Sequence, residues 1–226
     1  EIDLGEYVAG FWSNFLMQDL YWFANFSPGV RTSTASNYVA PSWSWASVTG
    51  SVNWVTKGAL DAVLVHVHHV LAGPDKFGQL AYAELVLEAK IIPVSLCWEI
   101  ITIQQTKEMF IDLQCRDPDT GGHTCLGAYR PAYYILQPDI KYFSGYILSR
   151  EYPGASPDER IPLTDGEYFA WLFGQTDVMI IKAIQDRGPG VYERTGTVHT
   201  HRNMPSGDDD MSHWFKGVER QVVKII

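Results

Sequence analysis

Cysteine is scarce in this chain. Only Cys97, Cys115 and Cys125 occur in 226 residues, too few and too irregularly spaced for a disulfide framework, so a reducing, cytoplasmic compartment is expected. Positive charge is also short. Seventeen Lys and Arg against 26 Asp and Glu leave a net charge of −9, which disfavours nucleic acid and anionic membrane as partners because both reward basic surface. No stretch approaches the roughly 18 apolar residues that a membrane-spanning helix needs, and no secretory signal is evident. Several signatures are missing too: a Gly-x-Ser-x-Gly elbow, a phosphate loop and a dinucleotide fingerprint after a strand. Any enzymatic activity is therefore expected to use no nucleotide, metal or other cofactor and no covalent nucleophile. There is no internal repeat, and the chain reads as one domain, residues 1–226.

Aromatic mass is what the sequence has in excess: eight Trp, twelve Tyr and ten Phe. The N-terminal stretch carries Val8, Phe11, Trp12, Phe15, Leu16, Leu20 and Phe23 at spacings of three and four. With Asp3 and Glu6 as a capping box, this predicts an amphipathic helix over 3–26, ended by Ser27-Pro28-Gly29. From there the pattern switches to period two. Strands are expected at 42–48, 52–56, 62–71, 81–94, 109–114, 133–137, 142–150, 168–173, 178–185, 191–198 and 221–226. A short helix is expected around Trp214. Many strands and few helical patterns predict a mainly β fold, an antiparallel barrel or sandwich with the N-terminal helix packed on it. In "APSWSWASVTGSVNW" (40–54) the alternation would put Trp43 and Trp45 on one strand face and Ser42 and Ser44 on the other. A turn at Thr49-Gly50-Ser51 would bring Trp54 back alongside.

These residues also resemble a known family. "YVAGFWSNFLMQDLYWF" followed by "APSWSWASVTGSV" is similar to the segment downstream of the HET domain in fungal heterokaryon incompatibility proteins. The likeness continues through "LAGPDKFGQL" (71–80), "GVYERTG" (190–196), "HWFKG" (213–217) and the closing "VVKII". The resemblance implies a fungal origin and two alternative functions. One is a recognition or regulatory module without catalysis; the HET domain itself is not among these residues. The other is recruitment into natural-product biosynthesis. HET-like proteins of that kind include one resembling a pericyclase that forms a norbornene by intramolecular Diels–Alder reaction. Such a cyclase would hold an apolar terpenoid- or polyketide-like substrate in a shaped pocket and polarise it with one or two hydrogen-bond donors.

Departures from the family pattern direct attention to "AVLVHVHHVLAG" (62–73). His66 and His68 replace small polar residues and share a strand face, a solvated polar face or, with a third ligand, a metal chelate. His69 replaces an aliphatic residue on the inward face, and is the candidate hydrogen-bond donor or acid/base. Trp12, Trp43, Trp45 and Trp54, with His66, are the candidate substrate-binding residues; the competing role for each aromatic is core packing. Phe15 to Gln18 replace a Leu-Pro-x-Gly break, so the helix is expected to run on. Cys115, His123 and Cys125 lack a metal-site spacing and a fourth ligand. Asp117, Asp119 and Asp208 to Asp210 read as solvated turns.

Overall fold

A computed structural model describes residues 2–24, 38–54, 61–101, 106–112, 114–116, 123–125, 134–138, 160–162, 166–174, 177–200, 212 and 215–226. The expected strand at 142–150, the acidic loops, the Ser27-Pro28-Gly29 stop and Trp214 lie outside them.

The N-terminal segment is not one helix. It forms strands β1 (Tyr7–Val8) and β2 (Phe11–Trp12), a single helical turn α1 (Leu16–Asp19), and strand β3 (Trp22–Ala24). The physical reason lies at Ala9-Gly10. Both residues have positive φ, 52° and 93°, as in the two-residue turns that match the twist of a β-hairpin. Val8 then pairs with Phe11 and Tyr7 with Trp12. Asp3 caps no helix: its Oδ1 accepts from the Gly5 amide, and the Glu6 amide donates to Ser13 Oγ instead. The apolar spacing still buries Val8, Phe11, Leu16 and Leu20, because alternate strand residues followed by a helical turn satisfy much the same pattern.

Strand β4 (Val52–Trp54) pairs with β3, not with residues 42–48. Those residues form no strand; Trp45–Ser47 is a 3-10 turn with Ser44 as its cap. Trp43 is consequently buried while Trp45 is exposed, and Ser42 and Ser44 are buried as well, so the expected alternation does not hold here.

The main sheet contains β5 (Val63–Leu71), β6 (Leu80–Ala89), β7 (Ile91–Ile101), β8 (Thr106–Asp112), β11 (Tyr134–Pro138), β12 (Arg160–Pro162), β13 (Tyr168–Gly174), β14 (Asp177–Ala183), β15 (Val191–Thr200) and β16 (Gln221–Ile225). Strands β9 (Gln114–Arg116) and β10 (His123–Cys125) form a separate small hairpin. The run expected as one strand over 81–94 divides at Lys90. Its first half, β6, joins β5 and β16, and its second half, β7, joins β13, β8 and β12.

The fold is mainly β, as the turn-bounded alternation implies, but two finer expectations need correction. The sheet is mixed, because β16 runs parallel to β15, with Val191 opposite Lys224 and Tyr192 opposite Ile225. It is also not a closed barrel. Among the described residues, strand β11 lies along β15 over five residue pairs but is paired with β8 at one, Ile135 opposite Phe110, so the ladder curls round without closing as a regular barrel would. The short helix expected around Trp214 falls mostly outside the described residues. Ser212 and Phe215 have 3-10 geometry, and a turn at Lys216-Gly217 leads into β16.

The core joins the N-terminal elements to the sheet through Phe11, Leu16, Trp22, Trp43, Trp171 and Phe173 together with Leu85, Leu87, Val223 and Ile225. Each such large side chain contributes about 1.5–3 kcal/mol on burial. Arg194, 1% exposed, stands among them. Its guanidinium lies 3.6 Å from the Trp22 ring centroid and donates to the carbonyls of Leu20 and Trp22, so a buried charge ties β15 to the end of α1.

Candidate ligand-binding site

The "PSWSWAS" segment (41–47) is a clasp. Ser42 donates from its backbone and its hydroxyl to the Ile226 carbonyl, and its Oγ accepts from the buried Arg194 amide at 2.9 Å. Ser44 Oγ donates to the Ala9 carbonyl at 2.6 Å and accepts from the Ala46 amide at 3.1 Å. The Trp43 carbonyl accepts from Trp22 Nε1 at 2.9 Å, and the Trp43 ring stacks on Phe11 with 6.0 Å between centroids. Five short polar and aromatic side chains thereby fasten the N-terminal hairpin to the last strand of the sheet.

This fastening creates a slot of about 140 Å³ beside the Ala9-Gly10 turn. Its walls include Tyr7, Trp45, Phe77 and Leu80, with Lys76 on the rim. Trp45 Nε1 donates to the Gly10 carbonyl at 3.2 Å. A Cβ on residue 10 would stand 2.7 Å from that same nitrogen, so glycine is required both for φ and for the approach of the indole. The third wall comes from the β5–β6 loop. Asp75 Oδ1 accepts from the Phe77 amide at 3.0 Å and its carbonyl from the Gly78 amide at 2.9 Å. Gln79 reaches across to the Tyr38 carbonyl at 2.8 Å. These bonds hold Phe77 against Tyr7, ring centroids 5.4 Å apart and edge-on, although Phe77 is 52% exposed.

The expected site residues divide. Trp45 is a wall of the slot. Trp54 stands beside it, centroids 6.4 Å apart, 48% exposed, its Nε1 donating to the Asp19 carbonyl; burial raises the nearby Asp19 carboxyl above its ordinary range. Trp12 buttresses the opposite wall, edge-on to Tyr7 at 5.4 Å and to Phe77 at 6.3 Å. Trp43 belongs to the core and presents no ligand-facing surface. His66 and His68 lie on the exposed face of β5, where the His68 ring meets the Tyr82 ring edge-on. Glu84 on that face accepts from the Tyr82 hydroxyl at 2.5 Å and pairs with Lys224 at 3.2 Å. Burial and the Glu84 bond push the Tyr82 hydroxyl up to about 12. Despite its own burial, Glu84 is held below the usual carboxylate range by Tyr82 and Lys224.

His69 takes the inward parity of Val67 and Leu71, as expected, but is not sealed in the core. Its side chain keeps 17% exposure, and Nε2 lies 3.9 Å from Glu6 Oε1. The N-terminal hairpin supplies that carboxylate, which a sequence reading confined to β5 misses. Tyr7, Lys76 and Phe77 also stand outside the expected site residues, because helical spacing takes in the first and the others lie in an ordinary turn between strands. No three His, Cys, Asp or Glu side chains among the described residues gather as a metal site would require; the side chains of Cys115, His123 and Cys125 lie outside that set. No helix among the described residues is long and apolar enough to cross a membrane.

No protein-family model matches the chain, and neither a curated protein nor a solved structure matches it.

Proposed function

We propose that this chain is a recognition module, of the kind the likeness to the region downstream of a fungal HET domain implies, and that it reads a single apolar ring in the slot between Tyr7, Trp45 and Phe77. The observation that carries this reading is the slot's size together with its aromatic walls. A volume near 140 Å³ matches the roughly 150 Å³ cavity that accepts benzene, and falls short of the roughly 300–1,000 Å³ of sites that enclose a whole drug-sized ligand. Trp45, Trp54 and Phe77 keep 37%, 48% and 52% of their surface in solvent, apolar area that a ring-bearing ligand would cover. A one-ring fragment should bind with a Kd on the order of 1–10 mM. Titration with benzyl alcohol, followed by NMR at the Trp45 indole N–H, tests this. Saturable shifts that Phe77→Ala weakens support the reading, and an indole signal unmoved at high millimolar fragment sinks it.

A second reading, the cofactor-free cyclase, keeps one specific observation in its favour. His69 sits on the inner face of β5, part-exposed, with its Nε2 3.9 Å from Glu6 Oε1, and an imidazole N–H on that face is the donor this reading assigns to a substrate carbonyl. An apolar polyene converted by the intact chain, with turnover falling about 10²–10³-fold in a stable His69→Phe variant, would establish it.

A further inference from the structure

The slot has a charge as well as a shape, and we infer that it selects a ring bearing an anionic group: an aromatic carboxylate whose ring lies between Tyr7 and Trp45 and whose charge meets Lys76. This rests on the ring-binding reading and narrows it. Lys76 lines the slot, and its Nζ lies over the Phe77 ring, 5.1 Å from the centroid. Among the described residues no carboxylate stands within ion-pair distance of that nitrogen. The adjacent Asp75 makes no ion pair with it and turns its Oδ1 to the Phe77 amide. In a chain of net charge −9, Lys76 is exposed and sets a positive charge beside the aromatic walls of the slot. A cation resting on a ring face is stabilised only modestly when exposed, so a carboxylate arriving with a ligand ring gains a charge-assisted hydrogen bond without breaking a stronger contact. A neutral ring of the same shape gains no such bond. The site is open to solvent, so the preference is limited: roughly three- to tenfold at low salt.

The experiment uses the full chain and matched probes followed at the Trp45 indole N–H: phenylacetate, phenylacetamide and acetate. The inference requires phenylacetate to bind about three- to tenfold more tightly than the amide at low salt. The gap should close in 0.5 M salt and in Lys76→Gln, and persist in Lys76→Arg. Equal binding of acid and amide overturns the anion preference and leaves ring recognition standing. Binding of neither overturns both. Acetate binding as well as phenylacetate also overturns the inference, because it reduces Lys76 to a surface charge. An acetylated Gly-Gly-Phe peptide with a free C-terminus separates the two sources of this chemistry. Tighter binding than phenylacetate identifies a chain terminus as the ligand, and weaker binding identifies a free aromatic acid.

Discussion

Replacing Ser42 by alanine isolates the clasp on which the slot depends. The change keeps the backbone bond from Ser42 N to the Ile226 carbonyl and removes two others, the hydroxyl's donation to Ile226 and its acceptance from the Arg194 amide. The first is an ordinary intramolecular bond worth about 1 kcal/mol net. The second costs more, because Arg194 is 1% exposed and water cannot easily replace the lost acceptor; a buried donor deprived of its partner costs about 1–3 kcal/mol. The sum is about 3 kcal/mol, or a fall in melting temperature of roughly 6–12 °C for a chain of this size. Urea and thermal denaturation measure it, with Ser51→Ala on the exposed turn as a control that should stay within about 0.5 kcal/mol of wild type. Hydrogen exchange at the Arg194 amide gives a local readout and should accelerate. If Ser42→Ala melts within about 1 °C of the Ser51→Ala control, the clasp does not hold the fold together and the reasoning fails.

Gly10→Ala should destabilise by roughly 1–3 kcal/mol, since the new methyl meets Trp45 Nε1 at 2.7 Å under a φ of +93°. Gly50→Ala, with φ +109° and open space around it, should cost only the backbone part, so equal losses in melting temperature would refute the steric argument. Burial raises the Asp61 carboxyl, but Lys90 at 3.0 Å and Arg220 at 2.9 Å outweigh it and hold the group below its ordinary value. Its stabilisation is then complete above the unfolded carboxylate range and lost as pH falls through the lower folded value. Urea midpoints at pH 6 and pH 3 should therefore differ less in Asp61→Asn than in wild type. Tyr82 has the opposite sign. With its hydroxyl pushed up to about 12, its contribution is intact below the ordinary tyrosine value near 10 and disappears as pH climbs to about 12. Tyr82→Phe should remove a late step from the tyrosinate absorbance titration. His69→Phe should fold with a melting temperature close to wild type, because the 3.9 Å contact to an exposed Glu6 is worth little; a large loss would mean the imidazole is a structural group.

Period-two apolarity and turn residues were enough to read most of the sheet. Strands β5, β13, β14, β15 and β16 fall within a residue or two of where Val, Ile, Tyr and Trp alternate, because one buried face imposes that alternation. The aromatic excess likewise announced a Trp-rich core and some wall-forming rings. What could not be read from the chain depended on partners far away in sequence. The run Val8 to Leu16 satisfies helical spacing and hairpin pairing alike, and the positive φ at Ala9-Gly10 decided between them only with Trp45 in place to meet the turn. "SWSW" reads as alternation, yet Ser42 and Ser44 turn inward because Ile226, Arg194 and Ala9 present them with bonding partners across up to 184 positions of chain. The slot was the least legible feature. Phe77 becomes a wall because the β5–β6 loop folds back onto Tyr7, and Trp45 becomes its opposite wall because a 3-10 turn rotates it away from Trp43. Residue types set the strands and the supply of aromatic surface. Which rings were buried and which were left lining the slot was decided by packing between segments that local pattern cannot relate.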